Sequence, residues 1–423
     1  MLGDQLLGIA DTIAIGTLGP VALAGATAAN AAFLTLVFAI AGLWSGISIV
    51  ASQRIGAHDL DGYARSVRAG SALAVLAGCA GALLGWPTAG PLLHAMIGEL
   101  SSADASAHYF ALRCISLIPM ALSGSLIAGL GAAGNRKLAI ATLGVINLVH
   151  IPLLLILALG FGTHHPMGIV GAGISSLISE TVAALFAVVY VARRPIYRIF
   201  TRLDVDWRLA QRCGALGLPE TIFLTLVVGP DVLIVGLLAP LGAVTISAFR
   251  ALNVVSDLTF LVPSPMQSAI QTVVGQRLGA RDLDGAQAFF HRSRRGVLLL
   301  SVMTGIVVAV FAWPLAWLIT LDPLVATVAA VPLALHMITM PLKGWAMASL
   351  APIRAAGDTR FSAFVGILSS ALVIPIVWFG IERLHIGLYS VPIAWIIAWS
   401  ARLLLTQTKL RAGSWLHRAP LPA

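Results

Sequence analysis

Apolar runs broken by short polar stretches recur from one end of the 423-residue chain to the other. Most are long enough to cross a hydrocarbon core of about 30 Å, which takes about 20 residues of helix. Setting the runs against the polar punctuation predicts twelve spans, at 2–16, 21–50, 63–86, 107–131, 138–161, 168–192, 214–238, 243–274, 286–320, 326–351, 361–381 and 386–408. No polar stretch long enough for a soluble domain lies between them. The pattern predicts an all-α integral membrane protein.

Twelve spans put alternate connections on opposite faces of the membrane, and the charges sort accordingly. One set holds 53–68, 134–137, the connector from Arg193 to Arg212, 276–295, the turn from Arg354 to Arg360 and the C-terminal tail. It contains 21 of the 26 Lys and Arg residues; the opposite set contains Arg383, and Arg113, Arg250, Lys343 and Arg402 fall within predicted spans. Basic loops stay in the cytoplasm, so 53–68 and the tail face inward. The expected location is the plasma membrane (the bacterial inner membrane), crossed many times.

Composition agrees: 59% of residues are hydrophobic and 10% charged, whereas soluble domains carry roughly 25% charged residues. The net charge of +9 sits in short loops between apolar segments, so it reads as membrane orientation and not as a nucleic-acid surface. Cys79, Cys114 and Cys213 are scattered without a CxxC pair. They read as buried inert thiols, with no disulfide framework or metal site. The opening MLGDQLLGIADTIAIG has no basic stretch ahead of an apolar one, so no cleavable signal peptide is expected.

The two halves of the chain resemble each other. Gln53 to Gly62 (QRIGAHDLDG) matches Gln276 to Gly285 (QRLGARDLDG), Ala133-Gly134-Asn135 matches Ala356-Gly357-Asp358, and Pro152 matches Pro375, all at an offset of 223; Asp11 and Gly16 match Asp231 and Gly236 at 220. Six spans per half is an even number, so both halves enter the membrane in the same sense, as in parallel-repeat transporters. The expected plan is two six-helix lobes related by a pseudo-twofold axis along the membrane normal and enclosing a central cleft. The N-lobe is expected at 1–192, a cytoplasmic connector at 193–213, the C-lobe at 214–408 and a cytoplasmic tail at 409–423.

These segments resemble the multidrug and toxic compound extrusion (MATE) family. Asp11 to Gly16 (DTIAIG), followed by Leu18-Gly19 and Ala22-Leu23-Ala24, is similar to its first-helix signature. Gln53 to Asp59 resembles its Q-x-x-G-A-x-D segment, the Ala133 and Ala356 turns its A-G-D/N-x-R turns, and Gly168 to Gly173 (GIVGAG) the entry to its sixth helix. The resemblance implies a twelve-helix antiporter that expels small organic or drug-like compounds against an inward proton or sodium gradient. One departure is that Asp11 lies only ten residues from the start of the chain, where the family has a longer first helix.

Charge inside a bilayer is costly, and each such residue is a functional hypothesis. Asp11 stands where the resemblance puts the cation-coupling carboxylate. Asn147 and Pro152 match the N-x-x-x-D-P of one branch of the family, but Ile151 replaces its aspartate, so that branch's paired-carboxylate mechanism does not carry over. His150 points about 100° away from Ile151 around the helix and reads as a packing or hydrogen-bonding histidine. Glu180 lies one turn beyond Ser176 on the same face. Asp11, Asn147, Ser176 and Glu180 form the expected cation-coupling set. In the second half, Asp231, Arg250, Asp257 and Lys343 are candidates to line a substrate cleft, with mutual neutralisation as the simpler role. Glu220, next to Pro219, reads as interfacial.

No Walker loop, H-E-x-x-H or G-x-S-x-G occurs, which points away from ATP-driven transport and from enzyme chemistry. No cofactor or metal is expected, and the expected partners are a small organic substrate and the lipid bilayer, with the chain monomeric. The alternative reading is a flippase of lipid-linked precursors with a related fold.

Overall fold

The computed structural model describes residues 11, 14–98, 102–162, 166–202, 204–227 and 229–417. The predicted span 2–16 lies mostly outside the described residues; within it Asp11 and Ala14 to Gly16 are helical. The remaining chain is almost wholly helical: α1 (Pro20–Gly56), α2 (Leu60–Ile97), α3 (Ala103–Ala132), α4 (Lys137–Leu157), α5 (Gly168–Ala192), α6 (Trp207–Val227), α7 (Gly229–Leu238), α8 (Ala243–Thr259), α9 (Pro263–Gly279), α10 (Leu283–Val310), α11 (Ala312–Thr320), α12 (Pro323–His336), α13 (Thr339–Ala355), α14 (Thr359–Ala371), α15 (Val373–Glu382), α16 (Ser390–Arg411) and α17 (Ser414–His417). Among the described residues nine helices are long and apolar enough to cross a membrane, and the α12–α13 pair, bent by 42°, makes a tenth. The α6–α7 pair follows the seventh predicted span. This is the twelve-helix, two-unit plan.

Five spans of the second half are broken where the sequence pattern runs on. Each break stands beside a proline, which lacks the N–H that would bond the carbonyl four residues back, although Pro219, Pro332 and Pro352 sit inside continuous helices. Pro263, Pro314 and Pro375 stand four residues after Thr259, Val310 and Ala371, where α8, α10 and α14 end. Pro230 and Pro341 stand four residues after Leu226 and Met337, beside the α6–α7 and α12–α13 breaks. In the first half Pro87, Pro91, Pro119 and Pro152 sit inside continuous helices. Consequently α2 carries on to Ile97, through residues read from sequence as an outer loop.

The internal repeat is visible as the same turn built twice. After α1, His58 takes a left-handed backbone (φ 57°), Asp59 caps α2 by accepting from the Gly62 N–H at 2.7 Å, and Arg54 pairs with Asp59 at 2.8 Å. After α9, Arg281 does so at φ 59°, Asp282 accepts from the Gly285 N–H at 2.9 Å, and Arg277 pairs with Asp282 at 2.7 Å. Gly134 and Gly357 both adopt φ 84° in the second pair of turns, a conformation that glycine enters without steric cost.

The chain forms two compact units, residues 1–221 and 222–423. The connector and most of α6 belong to the first unit, beyond the boundary drawn from sequence at 213–214. Small residues explain this. A Cβ on Gly46 would overlap the Cys213 carbonyl, one on Gly42 would come within 2.6 Å of the Gly217 carbonyl oxygen, and the Thr221 hydroxyl donates to the Ala39 carbonyl at 3.0 Å. Backbones approach this closely in membranes only where side chains are small. In the first unit α3 is central, contacting α1, α2 and α5 around a core that includes Phe33, Phe110, Leu117 and Leu154. In the second, α13 packs on α9, α10 and α16, and α8 packs on α12.

Candidate functional site

In the first unit the structure builds one buried polar site from three helical segments. The helix carrying Asp11 closes with turn bonds from Leu18 N–H to Ile15 O and from Gly19 N–H to Gly16 O. His150 lies on α4, one turn beyond Asn147, and is fully buried. Its Nε2 is 2.7 Å from Asp11 Oδ1, and the Asp11 side chain is 18% exposed. Behind the imidazole, Ser179 on α5 places its Oγ 3.4 Å from His150 Nδ1 while also donating to the Ser176 carbonyl at 2.9 Å.

This arrangement can hold a proton in two ways. The Ser179 hydroxyl has one hydrogen and two acceptors within reach. When it bonds the Ser176 carbonyl, Ser179 Oγ accepts from Nδ1–H, and one further proton lies between Nε2 and Asp11. When it turns to Nδ1, the imidazole donates from Nε2 to an ionised Asp11. A proton therefore enters or leaves without stranding a buried donor or acceptor.

The sequence-derived candidates are only partly assembled here. Asp11 is at the centre. Ser176 enters through its backbone carbonyl, while its hydroxyl donates to Ala172 O at 3.1 Å. The Asn147 amide donates to the Leu143 carbonyl at 2.9 Å. Glu180, next to Ser179, is buried at 8% exposure. His150, read from sequence as a packing or hydrogen-bonding residue, hydrogen-bonds Asp11. Ser179 was missed, and its adjacency to Glu180 was the available signal. Glu220, read as interfacial, is buried at 5% exposure, because α6 carries it against the first unit.

The second unit brings its four candidates into one neighbourhood. Lys343, on α13 just past the bend, is 2% exposed, and its Nζ donates to Ser256 Oγ at 2.9 Å. The same oxygen lies 3.0 Å from His336 Nε2, and the ammonium sits 4.5 Å from the centroid of the Phe260 ring. Asp257 is within electrostatic reach of Lys343 and of Arg250, which is exposed. Asp231 on α7 bonds Asn253 and faces Asp257. Ser256 thus bridges the ammonium of Lys343 and the ring of His336. Ser256, His336 and Phe260 were not picked out from sequence, although Ser256 precedes Asp257 and His336 lies two turns before Lys343.

Comparison with known proteins agrees with this architecture. The MatE family model matches residues 1–156 and 219–379. A probable multidrug resistance protein NorM from Aromatoleum aromaticum is 26% identical over 327 residues, covering 76% of this chain and 70% of the relative, and one from Neisseria meningitidis serogroup A is 22% identical over 328 residues, covering 77% and 72%. Among solved structures, a MOP superfamily transporter from Pyrococcus furiosus superposes with a TM-score of 0.89 at 18% identity, covering 99% of this chain and 93% of the other. The Vibrio cholerae MATE transporter VcmN does so at 0.88 and 22%, covering 98% and 95%. At such identities the superpositions speak for the fold, whereas the family match spans most of the sequence. The chain is a multi-pass membrane transporter of the MATE family.

Proposed function

We propose that the chain exports small organic compounds in exchange for protons, using Asp11 and His150 as the coupling site. The observation that carries this is the 2.7 Å contact between the Asp11 carboxylate and the fully buried His150 ring. Ser179 supports the exchange of one proton by turning its hydrogen between the Ser176 carbonyl and His150 Nδ1, so that both imidazole nitrogens keep a partner. The imidazole beside the carboxylate supports a proton as the coupling ion, since it is itself a proton carrier. Proton uptake shifts the balance between inward- and outward-exposed states only if the pair is held differently in each, and the same asymmetry must govern substrate affinity. The names of the NorM relatives support a multidrug substrate range.

Everted membrane vesicles test the reading, with a proton or a sodium gradient imposed separately. Substrate accumulation should follow the proton gradient alone and vanish in Asp11→Asn, which still hydrogen-bonds His150 but cannot carry the exchanged proton. Unchanged export by correctly inserted Asp11→Asn, or export driven only by sodium, would overturn it.

A further inference from the structure

Arg113 on α3 stands ten residues past Ala103, about 15 Å along the helix. Its guanidinium carbon lies 4.0 Å from the centroid of the Phe33 ring on α1, and Phe33 is 1% exposed. The Nε atom is buried without a hydrogen-bond partner, and among the described residues no carboxylate forms an ion pair with the group. The charges of the second unit differ in this respect: Lys343 has Ser256 and Asp257, and Arg250 has Asp257. Tyr109, one turn before Arg113 and 3% exposed, is within electrostatic reach of both Arg113 and Asp11. Asp11 is already committed to His150.

An arginine inside a membrane segment needs a counter-charge, and among the described residues of this unit no carboxylate supplies one through a direct ion pair. Stacking on Phe33 occupies the face of the guanidinium and leaves its N–H edge, the part that grips a planar carboxylate or phosphate through two parallel bonds. We propose that Arg113 binds an anionic group of the transported compound, so that the preferred substrates carry a carboxylate or comparable acid on an apolar, ring-containing body. A compound that also bears a positive charge would set its anionic end on Arg113 and its cationic end toward Asp11, with Tyr109 between them. This inference rests on the export reading for its word "transported", but the binding it predicts is measurable without transport.

The test is fluorescence anisotropy of the purified protein in lipid nanodiscs. It uses two dyes that differ in one methyl group, rhodamine 110 with a free carboxylate and rhodamine 123, its methyl ester. Charge-assisted hydrogen bonds set the expected preference at roughly 10- to 100-fold for the acid. Arg113→Gln should bring the acid to the level of the ester with ester binding unchanged, and Arg113→Lys should restore part of the preference. Equal binding of the two dyes by the unmodified protein, or a preference that survives Arg113→Gln, would overturn the assignment. Ester binding in Arg113→Gln reports that the variant is folded. Proton-driven movement of the acid dye, followed separately in vesicles, judges the export reading without touching this comparison.

Discussion

Replacing Lys343 with Met keeps the length of the side chain and removes its charge. What it leaves behind sets the size of the effect. Lys343 is 2% exposed and holds Ser256 at 2.9 Å, with Phe260 at 4.5 Å and Asp257 within electrostatic reach. Lys343 and Asp257 form no direct ion pair and Asp257 is exposed, so solvent screens their attraction to about 1 kcal/mol or less. Removing the buried ammonium costs its charge-assisted bond to Ser256, about 1.5–3 kcal/mol. Arg250 is exposed and cannot replace a buried ammonium at close range. Lys343→Met should therefore destabilise the second unit by about 1.5–3 kcal/mol, and Asp257→Asn by about 1 kcal/mol or less. The double variant should cost less than the sum of the two, by a coupling energy of about 1 kcal/mol. Reversible unfolding of all four proteins in mixed detergent micelles, followed by tryptophan fluorescence, measures the cycle. Additive single costs, with coupling below about 0.5 kcal/mol, would refute the pairing. Retained dye preference in Lys343→Met, together with lowered stability, assigns Lys343 to charge neutralisation; altered preference assigns it to substrate recognition.

Other consequences are simpler to read. Gly46→Val should push α1 off the Cys213 carbonyl and lower the yield of folded protein, measured by size-exclusion profile; Gly236→Ala, which meets open space, should not. Asp59→Ala and Asp282→Ala each remove a helix cap, costing about 1 kcal/mol. Their effects should add in the double variant, because the two caps lie in different units; strong coupling in an unfolding titration would contradict this.

The family signature found Asp11 because that residue lies in the chain's own local pattern. It missed the pairing with His150, since 139 positions separate the two and periodicity says nothing about which helices become neighbours. The histidine was read by its angle around α4 relative to Ile151, a coordinate internal to one helix. Likewise Lys343, Asp257 and Asp231 could be nominated as costly charges, but Ser256 and His336 looked ordinary until α8 and α12 packed together. The boundary near 213–214 followed loop charge, whereas Gly42, Gly46 and Gly217 decide where α6 docks. That small-residue spacing was legible and went unread.

By itself the sequence determined the membrane class, the sorting of the basic residues into alternate loops, the duplication and the positions of the prolines beside which helices of the second half end. Each depends on local properties: apolar length against bilayer thickness, charge position along the chain, and a missing N–H bonded four residues back. Tertiary structure alone decided that an imidazole meets the Asp11 carboxylate, that a serine joins Lys343 to His336, and that Arg113 stacks on an aromatic face with no ion pair among the described residues. Those outcomes depend on which side chains from distant helices share a buried volume, where the scarcity of water makes every unpaired charge costly.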